Sequence, residues 1–328
     1  MPSATRRWKS PVRSPACRRS SRRSRFRRNE GVAQIGAGTP AAYVMKAMSK
    51  LEPVPLRPEE IEEALDAVGR LDDRAIDLAG TALLLAALDR PGLSLAPYRG
   101  HLDDLVAALR DASATTAIEV AGALQRLFFE RFGYDGDRLT YDDPQNANLI
   151  RVIDRRKGLP VALGVLFAHA ARGAGFTLDG IAFPGHFLMR LSVKGEHLIL
   201  DPFNGGRVLD AMELRRLAKQ LMGPEQELTP ALTDTVGNRA VLLRLQNNLK
   251  SRAESEGKVE RVAQIARSML RLAPEHAGLW LEYGKAEHQL GRLGAATGAL
   301  RNCIEHSLDG FETIEAQRLL EELRRSLN

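Results

Sequence analysis

The feature that most limits the fold is residues 183–206, FPGHFLMRLSVKGEHLILDPFNGG, where apolar and polar residues alternate on both sides of Lys194-Gly195. Alternation with a period of two predicts half-buried strands, and a two-residue connection between them predicts a tight hairpin. Such a turn pairs Val193 with Glu196. In that register one face is wholly apolar and carries Phe187, Met189, Leu191, Val193, Leu198 and Leu200. A slip of one residue would mix this set with polar residues, so the pattern also predicts the register.

The opposite face of the hairpin carries a candidate catalytic pair. Asp201 lies opposite Leu188, and His186 is its diagonal neighbour at roughly 7–8 Å between backbone positions, within side-chain reach. An aspartate that orients an imidazole supplies two of the three members of a nucleophilic triad. Taken singly, His186 also fits a hydrogen-bonded histidine at a strand start, and Asp201 fits a turn cap before Pro202. Their position on one face favours a catalytic or formerly catalytic pair.

Two further polar residues on that face have weaker interpretations. Arg190 is a candidate for holding an anionic group of a substrate. His197 would complete a His-His-Asp metal site only across a large offset along the hairpin. A loop upstream is rich in aspartate, but its spacing does not match a calcium-binding loop and fits turn chemistry better. These aspartates are Asp135, Asp137, Asp142 and Asp143. We predict neither a metal ion nor another cofactor.

The rest of the N-terminal two thirds reads as helices, then strands, then a helix. Helical patterns fill residues 58–132, and a polar loop follows at 134–148. The run PVALGVLFAHAARGAG, which starts at Pro160, is apolar nearly all round and predicts a buried helix. Strands follow, then a helix at 210–223 and a linker at 224–230.

From residue 235 the pattern changes to paired helices. A Trp, a large apolar residue followed by Gly, and later small or apolar residues recur with counterparts 34 residues earlier, a period that resembles the tetratricopeptide repeat. The later set is Trp280, Tyr283-Gly284, Ala296, Leu300 and Cys303, and the earlier set is Gln246, Leu249-Lys250, Val262, Ala266 and Met269. We predict repeats at about 243–276 and 277–310 and a closing helix at 312–326. The alternative is a plain helical bundle.

The run RRKGLPVALGVLFAHAARGAGFTLDGIAFPGHFLMRL, with LILDPFNGG after it, resembles the SirB-type branch of the transglutaminase-like superfamily. The resemblance implies a papain-like α+β core with a helical N-terminal lead-in, followed by an all-α region of tetratricopeptide-like repeats. On this basis we predict a transglutaminase-like domain with its lead-in at 55–225 and the repeats at 235–328.

The resemblance also implies where a nucleophile would lie. In active members of the superfamily a Cys begins a buried helix, and a His and an Asp come from two successive strands. Carried across, His186 matches the His, Asp201 matches the Asp, and Pro160 occupies the position of the Cys. Proline has no nucleophilic atom, and no Cys, Ser, Thr or Tyr occurs from 142 to 176. Covalent acyl transfer by the superfamily's mechanism therefore cannot operate.

Three functions remain open. The one we prefer is a non-catalytic regulatory or scaffolding protein that binds a protein or peptide partner, because repeat helices form concave surfaces suited to peptides. The second is a hydrolase of peptidase or amidase type, in which His186 and Asp201 activate water. The third is a module that binds a small ligand or a peptide without reaction.

The formal net charge of +6 is misleading about partners. Eleven basic residues and one acid fall within residues 1–30, so the rest of the chain is mildly acidic and gives no electrostatic reason to bind nucleic acid. We expect residues 1–50 to be a basic, disordered tail or the product of a start codon assigned too early. The apolar runs are too short to cross a membrane. Cys17 and Cys303 form no disulfide pattern, which favours the cytoplasm.

Overall fold

The computed structural model describes residues 54–308 and 310–326, and the predicted basic tail lies outside them. The described part begins with a helical lead-in: α1 (Pro58–Gly69), α2 (Leu78–Ala87), α3 (Ala96–Asp111) and α4 (Ala117–Gln125). Helix α4 continues as a π-helical turn over Arg126–Arg131. All ten residues of α2 are buried, because this Leu- and Ala-rich helix is apolar all round and is enclosed by the rest of the fold.

The buried helix predicted at Pro160 is α6 (Pro160–Gly173), and it lies at the centre of the core. A short helix, α5 (Leu149–Arg155), precedes it. Two short parallel strands, β1 (Asp135–Gly136) and β2 (Lys157–Gly158), join the loop after the lead-in to the start of α6. This pairing fixes the chain just before Pro160.

The hairpin belongs to a five-stranded antiparallel sheet with the order β6-β5-β4-β3-β7. The strands are β3 (Thr177–Ile181), β4 (Leu188–Val193), β5 (Glu196–Asp201), β6 (Arg207–Leu209) and β7 (Thr235–Val236). Val193 pairs with Glu196 and Met189 pairs with Leu200, which confirms the predicted register. Lys194 and Gly195 have φ of 49° and 86°, as a two-residue turn between twisted strands requires.

The two faces of the sheet pack against different layers. The apolar face, with Met189, Leu191 and Leu200, joins the main core around α6. The other face is not simply polar: Leu188 is fully buried in a smaller cluster with helix α7 (Ala211–Met222). Helix α7 therefore covers part of the face that carries His186 and Asp201.

The C-terminal third is five helices: α8 (Asn238–Ser255), α9 (Val259–Leu272), α10 (Ala277–Gln289), α11 (Leu293–His306) and α12 (Phe311–Ser326). Each of these helices packs against the next one in the sequence. Helix α8 packs on α2 and α6, and α9 packs on α1, where Arg271 forms ion pairs with Asp66 at 2.6 Å and with Glu62. The first pair is thus fixed to the core. No helix in the described ranges combines the length and apolar character that a bilayer crossing requires.

Candidate functional site

His186 and Pro160 line the same pocket, which we call the His186 pocket. It has a volume of about 350 Å³ and lies between the start of α6, the loop before β4 and one side of α8. Its lining residues are Tyr141, Leu159, Pro160, Val161, Gly185, His186, Phe187, Arg244, Asn247 and Asn248. The structure therefore brings together the two positions that the resemblance associates, one from a helix start and one from a strand start.

The sequence FPGH folds as a tight turn that presents His186. The His186 N–H donates to the Phe183 carbonyl at 3.0 Å, and Gly185 has a φ of 70°. Pro184 at the second position and a positive φ at the third are the requirements of a type II turn, so Pro-Gly is the natural dipeptide here. The turn places the imidazole at the mouth of the pocket, with its side chain 14% exposed.

Asp201 is 1% exposed and holds the imidazole from the neighbouring strand. His186 Nε2 and Asp201 Oδ1 are 3.1 Å apart. The same oxygen accepts the N–H groups of Phe203 and Asn204, and Oδ2 accepts the Asn204 side-chain amide at 2.7 Å. Burial alone would raise the pKa of Asp201, but the hydrogen bonds from His186 and Asn204 outweigh it and hold that pKa below its ordinary value. The carboxylate is therefore charged and fixed in one orientation.

Aromatic side chains enclose the pair. The Phe203 ring packs edge-on against the His186 ring with centroids 6.4 Å apart, and against the Tyr141 ring at 5.7 Å. The next residue, Phe187, belongs to the apolar face of the hairpin and packs so tightly against α6 that a Cβ on Gly164 would lie 2.5 Å from its ring.

Pro160 occupies the first turn of α6, where its lack of an N–H costs nothing. The preceding Leu159 is extended, and its N–H donates to the Asn146 carbonyl at 2.9 Å. Among the residues that line the His186 pocket there is no thiol, and the hydroxyl of Tyr141 is the only one. The geometry is that of a helix start facing a His-Asp pair, with a pyrrolidine ring at the helix start.

Arg190, the residue predicted to hold a substrate anion, does not line this pocket. It donates a hydrogen bond to the carbonyl of Thr233, in the segment that leads into β7. The cation at the pocket is instead Arg244 of α8, which sequence reasoning missed. Its guanidinium donates to the carbonyls of His186 at 2.6 Å and Phe183 at 3.3 Å, and it lies over the Phe187 ring. Burial lowers the pKa of Arg244.

Arg244, Asn247 and Asn248 were not predicted as pocket residues because they lie in α8, which the 34-residue period assigns to the repeats. Asn248 donates its side-chain amide to the Arg244 carbonyl at 2.8 Å, one turn back along the helix. The available signal was the pair of adjacent amide residues, Asn247-Asn248, in α8. The predicted division of the chain into two domains between residues 225 and 235 stays a prediction. Helix α8 follows that division in the sequence, yet its side chains line both the His186 pocket and a groove of the repeat region.

The remaining polar candidates have local partners. His197 lies beside Ser192, with 2.9 Å between Nδ1 and Oγ. Asp137 accepts two hydrogen bonds from Thr140 and pairs with Arg155 at 2.8 Å, and Asp143 caps a turn at Gln145, which confirms turn chemistry in that loop. Within the described residues, no group of three His, Cys, Asp or Glu side chains could hold a metal ion.

Comparison with known proteins agrees with this architecture. Residues 96–247 match the transglutaminase-like superfamily, and residues 249–321 match the tetratricopeptide repeat. A UPF0162 protein of Xylella fastidiosa (strain Temecula1) is 35% identical over 241 residues, which cover 72% of this chain and 85% of that protein. Protein SirB1 of Salmonella typhimurium is 29% identical over 46% of this chain and 56% of its own. Human F-box only protein 21 is 29% identical over 47% of this chain and 25% of its own.

A transglutaminase-like α+β domain with a helical lead-in, followed by tetratricopeptide repeats, is therefore the class of protein that fold and comparison define. The chain belongs to the UPF0162 family, to which its similarity is extensive, and it is a SirB-type protein.

Proposed function

We propose that this protein is a non-catalytic, transglutaminase-like regulatory or scaffolding protein that acts by binding a protein or peptide partner. The observation that carries the proposal is the pyrrolidine ring of Pro160 at the helix start beside His186, in a pocket without a thiol. Covalent acyl transfer needs a nucleophile at that place. The retained His186–Asp201 hydrogen bond then serves to hold the turn and strand in position.

The repeat region supplies the surface for a partner. A groove of about 340 Å³ lies between the helix pairs and is lined by Glu254, Gly257, Val259, Val262, Glu282, Lys285, Ala286 and Gln289. Its floor is apolar and its rim carries both charges, which suits a short peptide with one apolar side chain and one charged side chain. We place such a protein in the cytoplasm, in keeping with a sequence that has two cysteines and no disulfide pattern.

The test of the lost nucleophile is to restore it. Pro160→Cys places a thiol at the N-terminus of α6, where the helix dipole and His186 should lower its pKa. We expect iodoacetamide at neutral pH to alkylate this cysteine faster than an ordinary thiol, and His186→Ala in the same background to slow the reaction. Peptide mass spectrometry separates the new site from Cys17 and Cys303.

Val161→Cys is the matched control, because Val161 lines the same pocket one residue further along the helix. Its alkylation should be slow and indifferent to His186. If the thiol of Pro160→Cys also reacts slowly and without dependence on His186, Pro160 does not occupy a nucleophile position and the argument for a lost acyl transferase fails.

A hydrolase that lacks a covalent intermediate is the second candidate, favoured by the buried, charged Asp201 and by the imidazole that it holds in the lining of the His186 pocket. Such an enzyme would use His186 as a general base toward water. Wild type and Asp201→Asn would be compared on a panel of ester, amide and peptide substrates. Turnover by wild type that Asp201→Asn lowers by orders of magnitude would replace our proposal with this one, because the amide would favour the wrong tautomer of His186.

Partner binding is tested with a phage-displayed peptide library selected on the full chain. Gln289→Trp fills the groove from an exposed position, whereas Arg301→Trp alters an exposed position outside the groove lining. We expect selected peptides to lose binding to the first variant and keep binding to the second. Peptides that bind both variants equally would show that the groove is not the binding surface.

A further inference from the structure

A second and larger cavity lies where the lead-in, the loop before α5 and the first repeat meet, and we call it the junction pocket. Its volume is about 410 Å³. It is lined by Asp89, Arg90, Pro144, Gln145, Asn148, Arg151, Leu249, Arg252, Ala253, Glu256, Lys258 and Arg261. The two pockets share no lining residue. They come nearest in sequence on α8, where Asn248 lines the His186 pocket and Leu249 lines the junction pocket.

The lining of the junction pocket carries five basic and two acidic side chains. Each acid is paired with a base: Asp89 with Arg261 at 2.6 Å, and Glu256 with Lys258 at 2.6 Å. Three arginines remain after this pairing, Arg90, Arg151 and Arg252. The pocket therefore has a net positive charge.

The guanidinium of Arg252 already has hydrogen-bond partners within the protein. Its guanidinium donates to the carbonyls of Tyr141 at 3.0 Å and Asp142 at 2.8 Å, and it lies within 3.6 Å of the Asp142 carboxylate. Arg90 and Arg151 have no ion-pair partner in the part of the chain that the structure describes.

Arg90 also carries an unsatisfied donor. Its Nη1 is buried and has no hydrogen-bond partner within the described residues. A buried, charged donor without an acceptor destabilises the folded state, because its hydrogen bonds to water are lost on burial and no protein acceptor replaces them. A turn of the Arg90 side chain toward the pocket would relieve that cost, because Arg90 and Arg151 both line the pocket and could each donate a charge-assisted hydrogen bond to a bound anion.

Apolar side chains also line the junction pocket. Leu249 and Ala253, one turn apart on α8, are 6% and 4% exposed, and Pro144 lies beside them in the lining. A cavity lined by both cationic and apolar side chains matches an organic anion better than a free inorganic ion.

We propose that the junction pocket binds a small organic anion, with a phosphate or carboxylate group held by Arg90 and Arg151 and an apolar portion against Leu249 and Ala253. The ligand joins the lead-in, the core and the first repeat, so its binding stabilises the folded chain by mass action. The proposal does not depend on the state of Pro160 or on a partner in the repeat groove.

Isothermal titration calorimetry on the full chain tests the site with four probes: ATP, citrate, inorganic phosphate and the uncharged adenosine. We expect ATP or citrate to bind with one-to-one stoichiometry and to raise the melting temperature, with inorganic phosphate weaker and adenosine silent. The stronger of ATP and citrate identifies the anionic group. Arg90→Gln and Arg151→Gln should each weaken binding by about tenfold or more, the value of a charge-assisted hydrogen bond.

Arg301→Gln is the matched control, since Arg301 is an exposed arginine of α11 far outside the lining in sequence. It should keep the wild-type affinity. If Arg90→Gln fails to fold by circular dichroism, Arg151→Gln decides the test alone, because Arg151 is only half-buried. Silence of every anion at millimolar concentration, or wild-type affinity in a folded Arg151→Gln, would overturn the proposal.

Discussion

Asp201→Asn is the substitution that examines the His-Asp pair most directly. The carboxylate accepts four hydrogen bonds: from His186, from the Phe203 and Asn204 N–H groups, and from the Asn204 side chain. An asparagine keeps one acceptor oxygen, but its amide then faces the Asn204 amide, so one charged bond is lost and a buried donor is left unpaired. At about 1.5–3 kcal/mol for a bond to a charged group, we expect a loss of about 2–4 kcal/mol in the free energy of unfolding.

The pH dependence of that loss has a definite sign. The pKa of Asp201 is lower in the folded chain than its ordinary value of about 3.9, so the carboxylate contributes stability above that value. The contribution disappears as pH falls through the lower, folded-state pKa. The difference between wild type and Asp201→Asn should therefore be full at pH 7 and should narrow as the pH falls below about 4.

Urea unfolding, followed by circular dichroism at a series of pH values, measures both quantities. Asp142→Asn is the control, because its side chain is 92% exposed and its substitution should change stability by less than about 0.5 kcal/mol. A cost for Asp201→Asn as small as the control's, or one that stays constant into the acid range, would refute this role for the Asp201 carboxylate.

Two further predictions concern packing and pH. Gly164→Ala should lower the free energy of unfolding by about 1–3 kcal/mol, because the new Cβ would lie 2.5 Å from the Phe187 ring. Gly100→Ala is the control: it replaces a helical glycine with open space around it and should leave stability unchanged or raise it, and equal effects of the two substitutions in thermal melts would contradict the close contact at Gly164. Burial and the charge of Arg156 lower the pKa of His101 to about 4, so the free energy of unfolding should fall as the pH drops from about 6.5 toward that value. His101→Gln should flatten this part of the curve of stability against pH. An unchanged slope in the variant would refute the assignment of this pH dependence to His101.

The hairpin could be predicted from sequence because its information is local. The alternation around Lys194-Gly195 admits one register, and that register brings His186 and Asp201 together. What packs on the hairpin face that carries His186 and Asp201 could not be predicted in the same way. Alternation says which side chains share a face, but it does not say what covers that face, and here α7 buries Leu188 while the Thr233 carbonyl engages Arg190.

The wall of the His186 pocket was the other element that could not be predicted from sequence. Arg244 and Asn248 come from a helix about sixty residues after His186, and the 34-residue period explains that helix without reference to the pocket. Contacts over such separations leave no periodic trace in a single sequence, because the packing of one helix on another is decided by the whole core.

Helix α8 takes part in both the His186 pocket and the repeat region, and this has a thermodynamic consequence. Its Arg244 clamps the turn that presents His186, while Leu249 and Lys250, less than two turns later, belong to the first repeat. A ligand that displaced this helix at the repeats would also displace Arg244 from the His186 turn. By thermodynamic linkage, a ligand of the His186 pocket that favoured one position of the helix would then change affinity at the repeats by the same factor. In that case the two sites would be coupled reciprocally, and removal of the Arg244 hydrogen bonds to the carbonyls of Phe183 and His186 would weaken the coupling.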